Sequence, residues 1–307
     1  MATVMKTTGM KTPDSTTPGS QTMKITPLSA ACGAEITGVD LTQDLTPETV
    51  AAIRQAWNDH IVLVFRGQKI TQEQQLRFAS YFGNLGKRKN ALFNPELQKR
   101  NHGTQQNDPN VLLVSNIKEN GEPIGAFGEG EMWFHIDSGY AQNPYNYTFL
   151  YALELPSTGG NTQFSNMYMA YDALSQELKE RYAGRKALHI HEYKRSEKVE
   201  IGTDLSKAPH YFHPIFSTHA ETGRKSLFVD RLMTARLEGF TKEENEVYLE
   251  ELYEIGERPE FIYEHKWQLD DFVMWDNRCA IHARTWFPPE ERRLLRRCAI
   301  EGAPIHE

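Results

Sequence analysis

From Val111 onward the chain is a succession of short β-type runs separated by turns, and this pattern constrains the fold more than any other feature. The runs are Val111–Ser115, Tyr147–Leu155, Thr162–Asn166, Lys186–Tyr193, Ser226–Val229, Phe261–Trp267, Phe272–Trp275 and Leu294–Ile300. Helical patterning interrupts them only around 170–181 and 242–255. Many strands without a regular strand–helix–strand rhythm predict a sandwich or barrel with helices packed outside. Before this region, Thr46-Pro47-Glu48 reads as a helix start, Ile61–Phe65 as a buried strand, and Thr71–Gln74 as the capping box of a helix ended by Gly83. Residues 1–22, rich in Thr, Ser, Gly and Pro, read as a disordered extension, and 23–307 as one domain. The polar stretch 86–110 shows no periodicity and reads as a lid-like loop.

Composition bears on partners. Hydrophobic residues are 39% of the 307, enough for a substantial core. A net charge of −7 with no basic stripe argues against nucleic acid. No apolar run approaches the ~18 residues of a membrane span, and no signal-like segment opens the chain. Three scattered cysteines fit a reducing compartment, so a cytoplasmic protein is expected. The expected partners are a small anionic organic molecule and further copies of the chain.

His135-Ile136-Asp137 places an imidazole and a carboxylate on one face of a strand, because side chains at i and i+2 share a face. Alone the pair is as readily a surface histidine beside a turn-forming aspartate. The segment Phe272-Val273-Met274-Trp275-Asp276-Asn277-Arg278-Cys279-Ala280-Ile281-His282 is a strand, a polar turn and a second strand that begins near a histidine. His282 can thus complete a set of two histidines and one carboxylate, which suits Fe(II) but is also accepted by zinc. Arg293 and Arg297, four apart in a strand-like run, share a face. Two guanidiniums there suit anion binding; the alternative is a solvated basic edge strand that includes Arg292 and Arg296.

Taken in order, His135-x-Asp137, the turn Gly159-Gly160-Asn161-Thr162, the turn Trp275-Asp276-Asn277-Arg278 before His282, and Arg293 with Arg297 resemble the taurine dioxygenase / 2,4-dichlorophenoxyacetate dioxygenase family. The segments Gly33–Asp40 and His213-Pro214 to Leu227 resemble it too, so the likeness spans about residues 23–303. It implies a mainly β fold with helices, a double-stranded β-helix (jelly-roll, cupin-like) core with flanking α-helices. It further implies an Fe(II)- and 2-oxoglutarate-dependent dioxygenase that hydroxylates a small organic anion with O2, releasing succinate and CO2. In that family's pattern His135, Asp137 and His282 hold the iron, Thr162 and Arg293 hold the distal carboxylate of 2-oxoglutarate, and Arg297 lies near the substrate anion. Asp137 itself favours hydroxylation over halogenation. Glu131 stands where the taurine enzymes have an asparagine near the substrate, which points away from taurine; an aryloxyalkanoate is favoured over an alkyl sulfonate or sulfate.

His213, His102 and Asn116 are weaker substrate-contact candidates, with a satisfied core histidine as the equal reading of His213. Phe93, Trp133, Phe212 and Trp286 are candidate pocket linings, though core packing is the simpler role for Trp133 and for Phe134. His189 and His191, with no carboxylate partner evident, read as structural, and Cys279 and Cys298 as inert core thiols. Two other functions compete. A zinc hydrolase would use the same three ligands with Glu131 as base, and a non-catalytic acid-binding barrel would use only the arginines.

Overall fold

Between Val62 and Phe65 every residue is buried, yet successive side chains point in opposite directions, so this strand needs a partner layer on each side. Both layers are present in the computed structural model, which describes residues 22–88, 108–128, 130–191, 204–205 and 208–307. The strands in chain order are β1 (Lys24–Pro27), β2 (Ala34–Thr37), β3 (Val62–Phe65), β4 (Leu112–Ser115), β5 (Lys118–Glu119) and β6 (Glu122–Pro123). Then come β7 (Met132–His135), β8 (Tyr147–Glu154), β9 (Thr162–Asn166), β10 (Lys186–Ile190), β11 (His210–Pro214) and β12 (Phe216–Thr218). The last are β13 (Lys225–Leu227), β14 (Thr234–Leu237), β15 (Ile262–His265), β16 (Phe272–Asp276), β17 (Ala280–Arg284) and β18 (Leu294–Ile300). The helices are α1 (Pro47–His60), α2 (Gln72–Ser80), α3 (Met167–Asp172), α4 (Gln176–Tyr182) and α5 (Lys242–Gly256).

A seven-stranded sheet, ordered β1-β2-β3-β16-β8-β18-β4, faces a four-stranded sheet ordered β15-β9-β17-β7. The pairings are antiparallel except β2 with β3. Val62, Val64, Leu150, Ala152, Phe164, Val273, Trp275 and Leu295 fill the space between the sheets. Alternate residues of the same strands, Leu63, Phe65, Phe149, Tyr151, Phe272 and Met274, pack outward against Ile53 and Trp57 of α1 and Phe78 of α2. On the far side, Ile281 and Ala283 of β17 pack against Met167 of α3 and Leu249, Leu252 and Ile255 of α5. Four layers result, helix–sheet–sheet–helix, and the expected jelly-roll core with flanking helices is the fold observed. Each large apolar side chain fully buried this way contributes roughly 1.5–3 kcal/mol.

The local signals act as anticipated. Thr46 caps α1 by accepting from the Thr49 amide, and Pro47 opens the helix. Thr71 and Gln74 form a reciprocal capping box at α2. Ile61 leaves α1 at φ 67°, an uncomfortable conformation for a β-branched residue. Its amide donates to the Trp57 carbonyl at 2.7 Å and its carbonyl accepts from the Trp57 indole at 2.9 Å, which holds it there. The helix expected over 170–181 is instead two, α3 and α4, because Asn166 and Ser175 each cap a separate start. β18 is not an edge strand: it lies between β8 and β4, and Arg296 is buried against α2, donating to Gln75 Oε1 at 2.6 Å. Among the described residues no helix is long and apolar enough to cross a membrane. Most of the expected loop 86–110, with His102 and Phe93, and residues 1–21 lie outside the described residues.

Candidate metal centre and anion cavity

One open end of the inter-sheet space forms a small cavity lined by His135, Asp137, His282, Arg293 and Arg297. The alternation that builds the core also builds this site. On β17, Ile281 and Ala283 face the helices, so His282 and Arg284 face inward. β7 pairs with β17 so that His135 lies directly opposite His282, with ring centroids 4.1 Å apart. Asp137 follows two residues later. A ligand atom from each of His135, Asp137 and His282 lies within 4.8 Å of the others, and all three residues are buried.

The protonation states suit a cation. His135 Nδ1 donates to the Trp133 carbonyl at 2.8 Å, which leaves Nε2 as a bare lone pair. His282 Nε2 is 3.9 Å from Asp137 Oδ1. Burial, then the neighbouring His135, push the His282 imidazole well below its usual pKa, so it is neutral and can ligate. Burial alone would raise the Asp137 carboxyl, but Arg297, His282, His135 and the Thr148 hydroxyl outweigh it and hold the pKa at about 2. Two imidazoles and one carboxylate on one side of an ion form the facial triad of non-haem Fe(II) oxygenases, and these residues fit one divalent ion.

The arginines converge on the same cavity. Arg293, only 2% exposed, donates through Nε and Nη2 to the Gly160 carbonyl at 3.2 and 2.9 Å, and no acidic side chain pairs with it among the described residues. Burial, then repulsion from Arg284, lower its pKa well below the usual guanidinium range. An anion in the cavity would remove that penalty. Thr162 accepts from the Trp267 indole at 3.0 Å, and since that N–H can only donate, the threonine keeps its own proton for another acceptor. Arg297 Nη2 is 2.7 Å from Asp137 Oδ2, an ion pair without hydrogen-bond alignment, and its Nε also has no hydrogen-bond partner.

Several expected site residues lie elsewhere. Asn116 does not line the cavity. Its amide donates to the carbonyls of Glu291 at 2.8 Å and Pro289 at 3.1 Å, and its oxygen accepts from the Arg293 backbone at 2.9 Å. It therefore holds the segment that aims Arg293. His213 is a satisfied core histidine, its Nε2 on the Ala141 carbonyl at 3.0 Å and its ring against Phe228. Glu131 is exposed and lines a different cleft with Trp133, Arg231, Glu257 and Trp286. It is placed neither as a hydrolytic base nor as a substrate discriminator. Phe212 packs against Leu188 and Ile190 instead of lining the cavity. His189 does have a carboxylate neighbour, Asp230 at 3.6 Å, contrary to expectation.

Three participants escaped the sequence reading. Arg284 sits opposite Thr162 across β9 and β17, and it donates to the carbonyls of Gly130 and Phe127, which ties Phe127 to the cavity it lines. Trp267 orients Thr162. Thr148 donates to Asp137. His219, Asp276 and Cys279 form a second cluster within 4.8 Å. Here, however, His219 Nδ1 accepts from the amides of Glu221 and Thr222 and Nε2 donates to Asp276 at 2.9 Å, so both ring nitrogens are occupied. Burial also pushes the Cys279 thiol well above its usual pKa. That cluster, with Arg278 on Asp276, is a structural lock on the turn before His282.

The fold and the donor set thus define a mononuclear non-haem oxygenase. A profile of the taurine catabolism dioxygenase TauD, TfdA family matches residues 24–299. The chain is 34% identical over 279 residues to an alpha-ketoglutarate-dependent 2,4-dichlorophenoxyacetate dioxygenase of Cupriavidus pinatubonensis, covering 88% of this chain and 95% of that protein. It is 33% identical to an (S)-phenoxypropionate/alpha-ketoglutarate-dioxygenase of Sphingobium herbicidovorans, covering 92% and 96% respectively. The crystal structure of AAD-2 in complex with Mn(II) and N-oxalylglycine superposes with a TM-score of 0.76 at 28% identity, covering 93% of this chain and 99% of that one. The chain belongs to the taurine catabolism dioxygenase TauD, TfdA family.

Proposed function

We propose that this enzyme hydroxylates a small organic carboxylate of the aryloxyalkanoate type, in preference to an alkyl sulfonate or sulfate. The protein is a 2-oxoglutarate-dependent non-haem iron dioxygenase, using Fe(II), 2-oxoglutarate and O2. The single observation that carries the site assignment is the convergence of the triad with Arg293, a buried guanidinium lacking an acidic partner among the described residues, in one cavity. A zinc hydrolase would leave that arginine idle, and an acid-binding barrel would leave the triad idle.

His135, Asp137 and His282 would hold Fe(II), which would supply the O2 chemistry that couples decarboxylation of 2-oxoglutarate to substrate oxidation. The chain's own residues do the rest. Arg293 neutralises the distal carboxylate of 2-oxoglutarate, and Thr162, its proton freed by Trp267, adds a hydrogen bond. Arg297, with an unsatisfied Nε, takes the substrate carboxylate. Val114, Leu150, Met132 and Phe127 give the cavity apolar walls, which exclude water and suit an aromatic or alkyl body. Phe127, 40% exposed and lining the same cavity, would meet the aryl end. The names of the two curated relatives point to the same substrate class.

The test is O2 uptake with Fe(II) and 2-oxoglutarate across aryloxyacetates, aryloxypropionates, alkyl sulfonates and alkyl sulfates, with succinate and hydroxylated product measured together. Product formation confined to the sulfonates would overturn the carboxylate assignment, and an absence of 2-oxoglutarate dependence would overturn the site assignment as well.

A further inference from the structure

The two oxygens of Asp137 have different surroundings. Oδ1 faces His282 Nε2. Oδ2 accepts from the Thr148 hydroxyl at 2.6 Å and lies beside Arg297. Thr148 is completely buried on β8, at the register position opposite Trp275 of β16. Its hydroxyl oxygen also accepts from Asn277 Nδ2 at 2.9 Å. Asn277 in turn accepts from the Trp275 indole at its Oδ1, again at 2.9 Å, and both residues are about 1% exposed.

The donor inventory gives this chain one direction. An indole nitrogen only donates, so the face of Asn277 towards Trp275 must be its oxygen, and its NH2 must face Thr148. A threonine hydroxyl has one proton, and with Asn277 donating to it, that proton can go only to Asp137. Trp275 further packs its ring 4.7 Å from the His282 ring, so one side chain touches one ligand and directs the hydrogen bond made to another. The turn that carries Asn277 is itself locked by Asp276 on His219 and Arg278.

We propose that Trp275, Asn277 and Thr148 form a polarised relay that ties Oδ2 of Asp137 and so presents Oδ1 alone to the metal, which makes Thr148 and Asn277 positioning residues for metal capture. The inference rests on the reading of His135, Asp137 and His282 as the metal site. Losing a partner of this kind weakens metal binding 10–100-fold where it has been measured. Arg297 contributes charge at the same oxygen but no aligned hydrogen bond, so it cannot substitute for the hydroxyl's direction.

The experiment titrates Mn(II) into the metal-free full-length protein, counts unbound Mn(II) by electron paramagnetic resonance, and records the melting temperature of each metal-free variant. Thr148→Val removes the proton. Asn277→Asp keeps the shape but replaces the donor by an acceptor, which turns the Thr148 proton away from Asp137. Thr148→Ser restores the hydroxyl. Expected are Kd values raised about 10–100-fold in Thr148→Val and Asn277→Asp, near-native affinity in Thr148→Ser, and loss of binding in Asp137→Ala. Should Thr148→Val fail to fold, Asn277→Asp decides the matter against Thr148→Ser. Native affinity in Asn277→Asp, or a loss in Thr148→Ser equal to that in Thr148→Val, overturns the relay while leaving the triad standing. Native affinity in Asp137→Ala overturns the metal site beneath it.

Discussion

At the level of single residues, the tasks proposed for Arg293 and Arg297 are separable. Arg293→Ala is expected to weaken 2-oxoglutarate binding by on the order of 2–4 kcal/mol, because a buried carboxylate loses a charge-assisted partner. Thr162→Val loses a neutral donor, about 1 kcal/mol, and also strands the Trp267 indole, so its cost should exceed that of one bond. Titration of 2-oxoglutarate into the Mn(II) protein measures both, and normal binding in Arg293→Ala would reassign the role. Arg297→Ala should act differently. Succinate should still form, slowly, while hydroxylated product falls much further, since a substrate misplaced by ~1 Å can lose about 100-fold in rate. An unchanged ratio of product to succinate would remove the substrate-anchor role.

At the level of elements, the Gly159–Gly160 turn shows why the sequence motif takes its form. A Cβ on Gly159 would lie 2.1 Å from the Trp286 carbonyl, and one on Gly160 would lie 2.9 Å from Arg293 Nε, with both residues at positive φ. Gly160→Ala should therefore displace the Arg293 guanidinium, raising the 2-oxoglutarate Kd as well as lowering the melting temperature. Gly121→Ala, at φ 84° with open space around it, serves as the control and should lower only the melting temperature. Equal 2-oxoglutarate affinity in the two variants would count against the contact. What was legible in the sequence divides on the same physical line. His135, Asp137, His282, Arg293 and Arg297 could be found because i, i+2 and i, i+4 spacing and the order of the family's motifs mark them together, although Asp137 lies in the turn just after β7 and Arg293 just before β18. Arg284 obeys the same rule relative to His282 and could have been found by extending it. Thr148 and Trp267 could not, since their partners lie 11 and 105 residues away and their chemistry is ordinary until register brings them together, and Asn116 reads as a substrate contact because its partners, up to 177 residues away, are not visible in the sequence. Glu131 was misjudged because spacing from a ligand says nothing about which side of the strand's end a charged residue leaves.

At the level of the whole molecule, buried charge sets the acid limit of stability. Burial opposes ionisation of Asp276, but Arg278 and His219 outweigh it and hold the carboxyl well below the usual range. A carboxylate with a depressed pKa in the folded state contributes its stability fully above the unfolded value of about 3.9, and loses it as pH falls further. The difference in urea midpoint between wild type and Asp276→Asn should thus be constant from neutral pH to about 5 and shrink below about 4. A difference that stays constant at low pH would show that the lock works by shape and not by charge.

The position of β18 bears on the order in which the enzyme is made. It closes the large sheet from within, between β8 and β4, and it follows every other strand of that sheet in sequence. A nascent chain that stops short of it has a gap in the middle of the sheet, lacks Arg297, and leaves Arg293 without the strand that anchors it. The triad and the arginines therefore share one cavity only when this strand is paired in the sheet.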